Sequence, residues 1–183
     1  MAEKYCIFLR GVNTGGKKMI MSDLKKVFTD LGFYDAQTIL ATGNVVLTAD
    51  AHQAASLKAL SEKALGTFFM NAGTVFVRSE KALQAVLNAS TSIAVPEHCH
   101  IYWLFCDNDE TVSELISLFN TLPHELGEAF VPAEDGAFWI VPVGKTLDSA
   151  FGSKALGHKK YKDKLTSRNM NTILKILSAM TKR

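Results

Sequence analysis

Residues 5–33, YCIFLRGVNTGGKKMIMSDLKKVFTDLGF, carry the pattern from which the fold of the N-terminal half can be predicted. The apolar run at residues 5–10 is typical of a buried strand. After a glycine-rich basic segment, four apolar residues recur at the spacing of a helix with one buried face: Leu24, Val27, Phe28 and Leu31. We expect Ser22 or Asp23 to cap this helix and Gly32 to end it.

The residues up to 78 complete one supersecondary motif. Two strand patterns, 38–41 and 45–48, flank Thr42-Gly43-Asn44, a favourable tight-turn sequence for a hairpin. A helical pattern and a fourth strand follow. The order β-α-β-β-α-β is that of ferredoxin-like folds, in which the third strand lies beside the first. Residues 10–18 and 42–44 are therefore predicted to share one rim of the sheet.

The same pattern begins again in the second half of the chain. A strand is predicted at residues 100–106, and Asp107 or Asp109 is expected to cap the helix after it. A hairpin then turns around Glu134-Asp135-Gly136. The last helix is predicted to start near Thr166 or Ser167, without a clear fourth strand before it.

These patterns predict an α+β protein made of two ferredoxin-like β-α-β-β units, arisen by duplication, with antiparallel sheets and a C-terminal helix. We expect three parts: a ferredoxin-like unit at residues 1–78, a linking helix at 79–98, and a second unit with the C-terminal helix at 99–183.

Composition places the chain among ordinary globular proteins. It has 183 residues, enough for a sizeable core, and a formal net charge of +2. No apolar run approaches the roughly twenty residues of a membrane span, and the first residues, MAEKYC, lack the apolar core of a signal peptide. Three cysteines in apolar settings indicate reduced thiols. We therefore expect a cytoplasmic protein that does not bind membranes.

The net charge conceals an uneven distribution. Between residues 79 and 144, Lys81 is the only basic residue against ten Asp and Glu, whereas residues 145–168 hold seven Lys or Arg against two acids. This basic segment either completes an anion site or forms a solvated surface.

The segment at residues 10–18, RGVNTGGKK, is the first candidate site. Glycines allow a ligand to approach backbone N–H groups, and Arg10, Lys17 and Lys18 supply positive charge, so phosphate is the expected ligand. The spacing from Gly11 to Lys17 matches a P-loop, but Lys18 replaces the Ser or Thr that would bind magnesium. The alternative is a solvated loop whose glycines only turn the chain.

Other chemistries find less support in the sequence. Cys106 is six residues from His100, roughly 20 Å along a strand, so the two do not share a metal ion. No Gly-x-Ser-x-Gly elbow occurs, and no acid pair has a catalytic spacing. The aromatic strands lack the signature of ferredoxin-like RNA-binding modules. We therefore predict no metal and no cofactor, name no catalytic residue, and leave open whether the protein is an enzyme.

Three stretches resemble the bacterial family known as domain of unknown function 1697: LRGVNTGGKKMIMSDLKKVFTDLGF, ATGNVV and TSRNMNTILKIL. Departures from the family pattern are Thr14, Lys18, Thr42 and Met170, the last replacing a tryptophan. The resemblance implies a cytoplasmic two-part α+β protein of unassigned activity. It also adds Arg168, Asn169 and Asn171 as candidate site residues, with helix capping as the alternative role.

The predicted ligand-binding residues are therefore drawn from all three stretches: Arg10, Asn13, Gly15, Gly16, Lys17, Thr42, Gly43, Asn44, Arg168, Asn169 and Asn171. The favoured function is a binding module for a phosphate-bearing ligand, either a nucleotide or a nucleic acid. The alternatives are an enzyme acting on a phosphorylated small molecule and a protein-interaction module whose acidic half binds a basic partner; no protein partner can be named.

Overall fold

The chain forms two compact units in its computed structural model, which describes residues 2–10, 19–69 and 73–181, with the backbone alone for Ala51. The first unit comprises Met1–Ala85 with Leu174–Arg183, and the second comprises Val86–Ile173. The domain boundaries expected at residues 78 and 98 stay a prediction. No helix in the described part of the chain is long and apolar enough to cross a membrane.

The first unit has the predicted ferredoxin-like order. Its elements are β1 (Glu3–Leu9), α1 (Met21–Asp30), β2 (Gln37–Thr38), β3 (Asn44–Ala49), α2 (Ala51–Phe69) and β4 (Val75–Ser79), and α3 (Glu80–Ser90) follows without a loop. The strands lie in the order β2-β3-β1-β4, and every neighbouring pair is antiparallel. The third strand therefore lies beside the first, as the pattern predicted.

Alternation along β1 and β3 builds the core of the first unit. Ile7 and Leu9 of β1 and Leu47 of β3 belong to the cluster that packs on α1 and α2. The intervening residues Cys6 and Phe8 are also buried, so both faces of this strand are shielded from water. Burying each large apolar side chain contributes roughly 1.5–3 kcal/mol, which fixes the register of the strand.

The second unit repeats this topology. Its elements are β5 (Cys99–Cys106), α4 (Asp109–Thr121), β6 (Ala129–Ala133), β7 (Gly136–Pro142), α5 (Ala150–Ala155), a 3₁₀ turn (Lys159–Tyr161) and β8 (Leu165–Asn169), followed by the C-terminal helix α6 (Met170–Thr181). The strand order is β6-β7-β5-β8, again antiparallel throughout. The predicted fold class is confirmed.

The helix predicted to start at Thr166 or Ser167 starts later, and a fourth strand takes its place. Residues 165–169 pair with β5, with Leu165 opposite Cys106 and Asn169 opposite Tyr102, and the helix begins at Met170. This correction has a physical reason: the ladder with β5 is a long-range contact that a local pattern does not contain. The second unit therefore has four strands.

Two helix caps also differ from prediction. Helix α1 has Ile20 at its N-cap and no side-chain cap from a described residue, because Ser22 and Asp23 lie inside the first turn. Helix α4 is capped by Asn108, whose side-chain oxygen accepts a hydrogen bond from Thr111 N at 2.9 Å, instead of by Asp107 or Asp109. The two equivalent helices therefore begin in different ways.

Candidate functional site

The end of β1 and the start of β3 meet at one edge of the first sheet. Leu9 N donates a hydrogen bond to Gly43 O at 2.8 Å, and Phe8 pairs with Asn44. Arg10 follows directly and is half-buried, while Thr42 is exposed. We call this edge, formed by Arg10 and residues 39–44, the first rim. It brings Arg10 beside the Thr42-Gly43-Asn44 stretch.

Asn44 holds the loop of the first rim together. Its side chain is fully buried, and its amide nitrogen donates to Ile39 O at 2.9 Å and to Thr42 Oγ1 at 2.8 Å. Ile39 N also donates to Asn44 O at 2.9 Å, and Gly43 adopts φ of +72°. Residues 39–43 thus form a closed loop in place of the tight turn predicted from the sequence. A direct role of Asn44 in ligand binding stays a prediction.

The other candidates of the glycine-rich segment, Asn13, Gly15, Gly16 and Lys17, lie outside the described residues, so their placement stays a prediction. The chain is described again from Met19, which packs partly buried against the core of the first unit. Helix α1 begins at Met21, two residues later.

The third candidate stretch lies in the second unit. Arg168 and Asn169 end β8, and Asn171 lies in the first turn of α6. Arg168 Nη1 donates to Ser167 O at 2.8 Å and to Thr166 Oγ1 at 3.2 Å. Asn169 Oδ1 accepts from Asn171 N at 2.9 Å, so the side chain of Asn169 does satisfy a backbone donor at the helix start. A ligand role for these residues stays a prediction.

Arg78 occupies in the first unit the position that Arg168 occupies in the second. Arg78 lies opposite Cys6 on β1, and Arg168 lies opposite Trp103 on β5. Each arginine is half-buried, precedes a helix by two residues, and donates from Nη1 to the carbonyl of the preceding residue, Val77 O in the case of Arg78. Sequence reasoning missed Arg78; the signal was an arginine at the end of a strand that runs straight into a helix.

The edge of the second sheet equivalent to the first rim is much shorter and acidic. We call it the second rim; it consists of Asp107-Asn108, between β5 and α4, and Glu134-Asp135, between β6 and β7. The corresponding connections of the first unit are residues 10–20 and 39–43. The first unit thus has eleven and five residues where the second has two and two.

The two units also differ in net charge. The first unit carries thirteen Lys or Arg and seven Asp or Glu, a net charge of +6. The second carries seven Lys or Arg and eleven Asp or Glu, a net charge of −4. Negative ligands are therefore attracted to the first unit more strongly than to the second.

Three lysines in the basic segment at residues 145–168 lie near carboxylates of the second unit. Glu114 on α4 lies 2.8 Å from Lys160 Nζ and 3.6 Å from Lys164 Nζ, and Glu125 lies 3.9 Å from Lys145 Nζ. The hydrogen bond from Lys160 lowers the pKa of Glu114, and the same contact raises the pKa of Lys160. Surface ion pairs of this kind contribute little to stability.

The fold defines the class of protein first: an α+β protein with two consecutive ferredoxin-like units. The sequence model of the family described as "Protein of unknown function (DUF1697)" matches residues 2–132, and the chain belongs to this family. The match includes the first two stretches of the resemblance, whereas the third lies beyond residue 132.

A solved structure shares the fold of this chain. It is described as "The structure of conserved bacterial protein SP0830 from Streptococcus pneumoniae", and it is 23% identical to this chain with a TM-score of 0.77. The superposition covers 99% of this chain and 100% of the pneumococcal one, so both ferredoxin-like units are shared. No curated protein matches the sequence.

Proposed function

We propose that this protein is a binding module for a phosphate-bearing ligand, a nucleotide or a nucleic acid, held at the first rim. The observation that carries the proposal is the length of the two connections that meet this rim: residues 10–20 and 39–43 stand where the second unit has two residues each. The same strand order forms with the short connections, so the fold does not require the long ones. Loops mounted on rigid strands are where binding residues concentrate.

The chemistry of the first rim suits an anion. Arg10 lies at its base and Lys17 belongs to the same connection, and both side chains form charge-assisted hydrogen bonds with phosphate oxygens. Gly15 and Gly16 allow a phosphate to approach backbone N–H groups. Helix α1 then begins without a side-chain cap from any described residue, and the N–H groups in the first turn of a helix favour negative charge. These features belong to the unit of positive net charge.

Asn44 supports the proposed site indirectly, because it stabilises the 39–43 loop. Its buried amide fixes the 39–43 loop from within, so that the exposed Thr42 stands beside Arg10 as a polar ligand contact. Rigid support of this kind lowers the entropy that a loop loses when a ligand binds.

A thermal-shift screen with inorganic phosphate, nucleotides, sugar phosphates and oligonucleotides tests the proposal, because a ligand that binds only the folded state raises the melting temperature. We expect at least one phosphate compound to stabilise the protein and Arg10→Ala to weaken its binding by about tenfold or more, the value of a lost charge-assisted contact.

The matched control is Lys25→Ala, which removes an exposed cation from α1 in the same unit. This variant should keep the affinity of the wild-type protein. If Arg10→Ala and Lys25→Ala weaken binding equally, the ligand senses only the net charge and the rim is not its site. If Arg10→Ala unfolds the protein, Arg10 serves the fold and the proposal loses its central residue.

We also propose that the protein works in the cytoplasm. None of the three cysteines forms a disulfide, and Cys6 and Cys106 are buried. Free buried thiols are typical of proteins from reducing compartments. Thiol labelling of the protein isolated under native and denaturing conditions should find all three cysteines reduced.

A further inference from the structure

Two exposed aliphatic side chains lie in the connections that meet the first rim. Leu40, in the connection between β2 and β3, is 44% exposed, and Ile20, at the end of the connection between β1 and α1, is 58% exposed. Single apolar residues are common on protein surfaces, so exposure alone says little about either residue. Their backbone positions, however, are ones that leucine and isoleucine rarely occupy.

Leu40 adopts a backbone conformation that is unfavourable for a leucine. Its φ is +60°, in the left-handed region, where the Cβ atom of an L-residue crowds the following carbonyl oxygen. Gly, Asn and Asp tolerate this region, whereas a bulky residue in it is an outlier. Because Leu40 is also exposed, its side chain does not gain the full free energy of burial in return.

Ile20 is an unfavourable choice for its position as well. It is the N-cap residue of α1, where Ser, Thr, Asp and Asn are preferred because their side chains accept hydrogen bonds from N–H groups of the first turn. An isoleucine has no such acceptor, so Ile20 caps none of these N–H groups with its side chain. The sequence thus places an aliphatic group where a polar one would stabilise the helix.

The second unit has favourable residues at the equivalent positions. Asn108 is the N-cap of α4 and accepts a hydrogen bond from Thr111 N at 2.9 Å, and Asp135 adopts φ of +61° between β6 and β7. The fold therefore accommodates favourable residues at both positions, and the first unit departs from them at both. Residues that oppose their local structure in this way concentrate at functional sites.

Leu40 lies near the proposed phosphate contact. Gly43, three residues after Leu40, accepts a hydrogen bond from Leu9 N at 2.8 Å, and Arg10 follows Leu9 directly. Three residues of extended chain span at most roughly 11 Å, and the closed 39–43 loop spans less. A ligand of the size of a nucleotide can therefore contact Arg10 through its phosphate and Leu40 through the rest of the molecule.

We propose that Leu40 determines the ligand specificity of the first rim, and that the ligand joins its phosphate to an apolar or aromatic group that contacts Leu40 and Ile20. Such a contact removes apolar surface from water on both sides. This inference rests on the proposed function and narrows its ligand class to phosphate esters of apolar or ring-bearing groups, nucleotides among them. A sugar phosphate, whose organic part is polar, gains no affinity from the two aliphatic side chains.

The experiment titrates inorganic phosphate, ribose 5-phosphate, phenyl phosphate and AMP into the full-length wild-type protein and Leu40→Asn, a variant with a side chain of similar size but polar character. We expect phenyl phosphate, AMP or both to bind more tightly than ribose 5-phosphate. Leu40→Asn should lower that affinity by about three- to tenfold, the value of roughly half the burial of a leucine, and leave the affinity for inorganic phosphate unchanged.

The stability of Leu40→Asn separates a role in binding from a role in folding. Because asparagine tolerates the left-handed region, the melting temperature should stay the same or rise by up to about 4 °C. The matched control is His98→Asn, since His98 is exposed and adopts φ of +63° in the second unit. This variant should leave every affinity unchanged. Ile20→Ala should weaken the same ligands as Leu40→Asn and spare inorganic phosphate.

The inference is overturned if ribose 5-phosphate binds as tightly as phenyl phosphate and AMP, or if Leu40→Asn weakens all four compounds equally. A lower melting temperature of Leu40→Asn would also overturn it, because Leu40 would then serve the fold. In each of these cases, binding of inorganic phosphate that depends on Arg10 would still support the proposed function. If none of the four compounds binds, the proposed function fails and the inference fails with it.

Discussion

The strands pair in the same way at the first and second rims, but the loops beside these pairs are stabilised differently. In the first unit Asn44 lies opposite Phe8, and in the second Gly136 lies opposite Phe105, so the two residues occupy equivalent positions. Asn44 uses its amide to close a five-residue loop. Gly136 instead follows a two-residue turn and leaves its space to the ring of Trp103.

The two hairpins differ in how they are stabilised at the same point of the fold. The second hairpin is close-packed, and its turn residue Asp135 adopts φ of +61°, a conformation that Asn and Asp tolerate best among residues with a side chain. The first hairpin commits a buried polar side chain to hold a longer loop. A buried amide costs stability unless it is hydrogen-bonded, and the amide of Asn44 is satisfied by Ile39 O and Thr42 Oγ1, so the longer loop and the buried side chain stabilise each other.

The largest effect is expected when the connection between β1 and α1 is replaced by the short connection between β5 and α4. Replacing residues 10–20 by the Asp-Asn connection of the second unit should preserve the sheet, seen by circular dichroism, and abolish phosphate binding. Loss of the partly buried Met19 should lower stability by about 2–5 kcal/mol.

A second variant tests whether the length of this connection or the chemistry of its side chains is needed for phosphate binding. Residues 11–18 replaced by an equally long Gly-Ser segment keep Arg10 and Met19 in place, so stability should stay near the wild-type value while phosphate binding weakens strongly. If the short connection prevents folding and the Gly-Ser variant binds phosphate normally, the long connection serves the fold and not the ligand.

The next largest effect is a loss of stability expected at Gly136, in the hairpin formed by β6 and β7. A Cβ atom at Gly136 would lie 2.2 Å from Leu104 O and 2.7 Å from Trp103 Cζ2, so the backbone of β5 would have to move. We expect Gly136→Ala to lower the free energy of unfolding by about 3 kcal/mol or more, measured by urea denaturation. Gly66→Ala is the control, because no atom lies within 4 Å of its Cβ and the change should stabilise α2 by up to about 1 kcal/mol.

A smaller loss of stability is expected at the equivalent position of the first rim. Asn44→Ala removes both amide hydrogen bonds and leaves Ile39 O without this donor, at a cost of about 1–3 kcal/mol. Thr42→Ser keeps the hydroxyl acceptor and should be nearly neutral. If Asn44→Ala leaves stability unchanged but eliminates phosphate binding, Asn44 contacts the ligand directly and does not serve as the loop's support.

The sequence predicted those parts of the fold that depend on local periodicity and on connection rules. The stripe on α1, the alternation in β1 and the handedness of β-α-β crossovers suffice to place β3 beside β1. The shared rim of Arg10 and residues 42–44 follows from that strand order alone.

Features decided by long-range contacts were missed. Residues 165–169 become a strand only because β5 presents an unpaired edge to them, and the sequence LTSRN has too few residues to show a strand period. The strand predicted at 38–41 is confined to Gln37–Thr38, because Asn44 draws the following residues into its loop. In both cases, hydrogen bonds between residues that are not neighbours along the chain determine the local structure.

The smallest effect tests the charge difference between the units. Glu114→Gln removes the carboxylate shared by Lys160 and Lys164, both on the surface, so the wild-type protein should be only slightly more stable at neutral pH. Because the contact with Lys160 lowers the pKa of Glu114 below its ordinary value of 4.5, its contribution is present above that pH and is lost as the pH falls through the lowered pKa. The pKa of Lys160 is raised above 10.5, so the same contribution is also lost in strongly alkaline solution. Urea denaturation of the wild-type protein and Glu114→Gln across the acidic range should therefore show that their free energies of unfolding converge. A stability gap that persists at acid pH would mean that Glu114 acts through packing, and the basic segment would then owe its position to something other than charge.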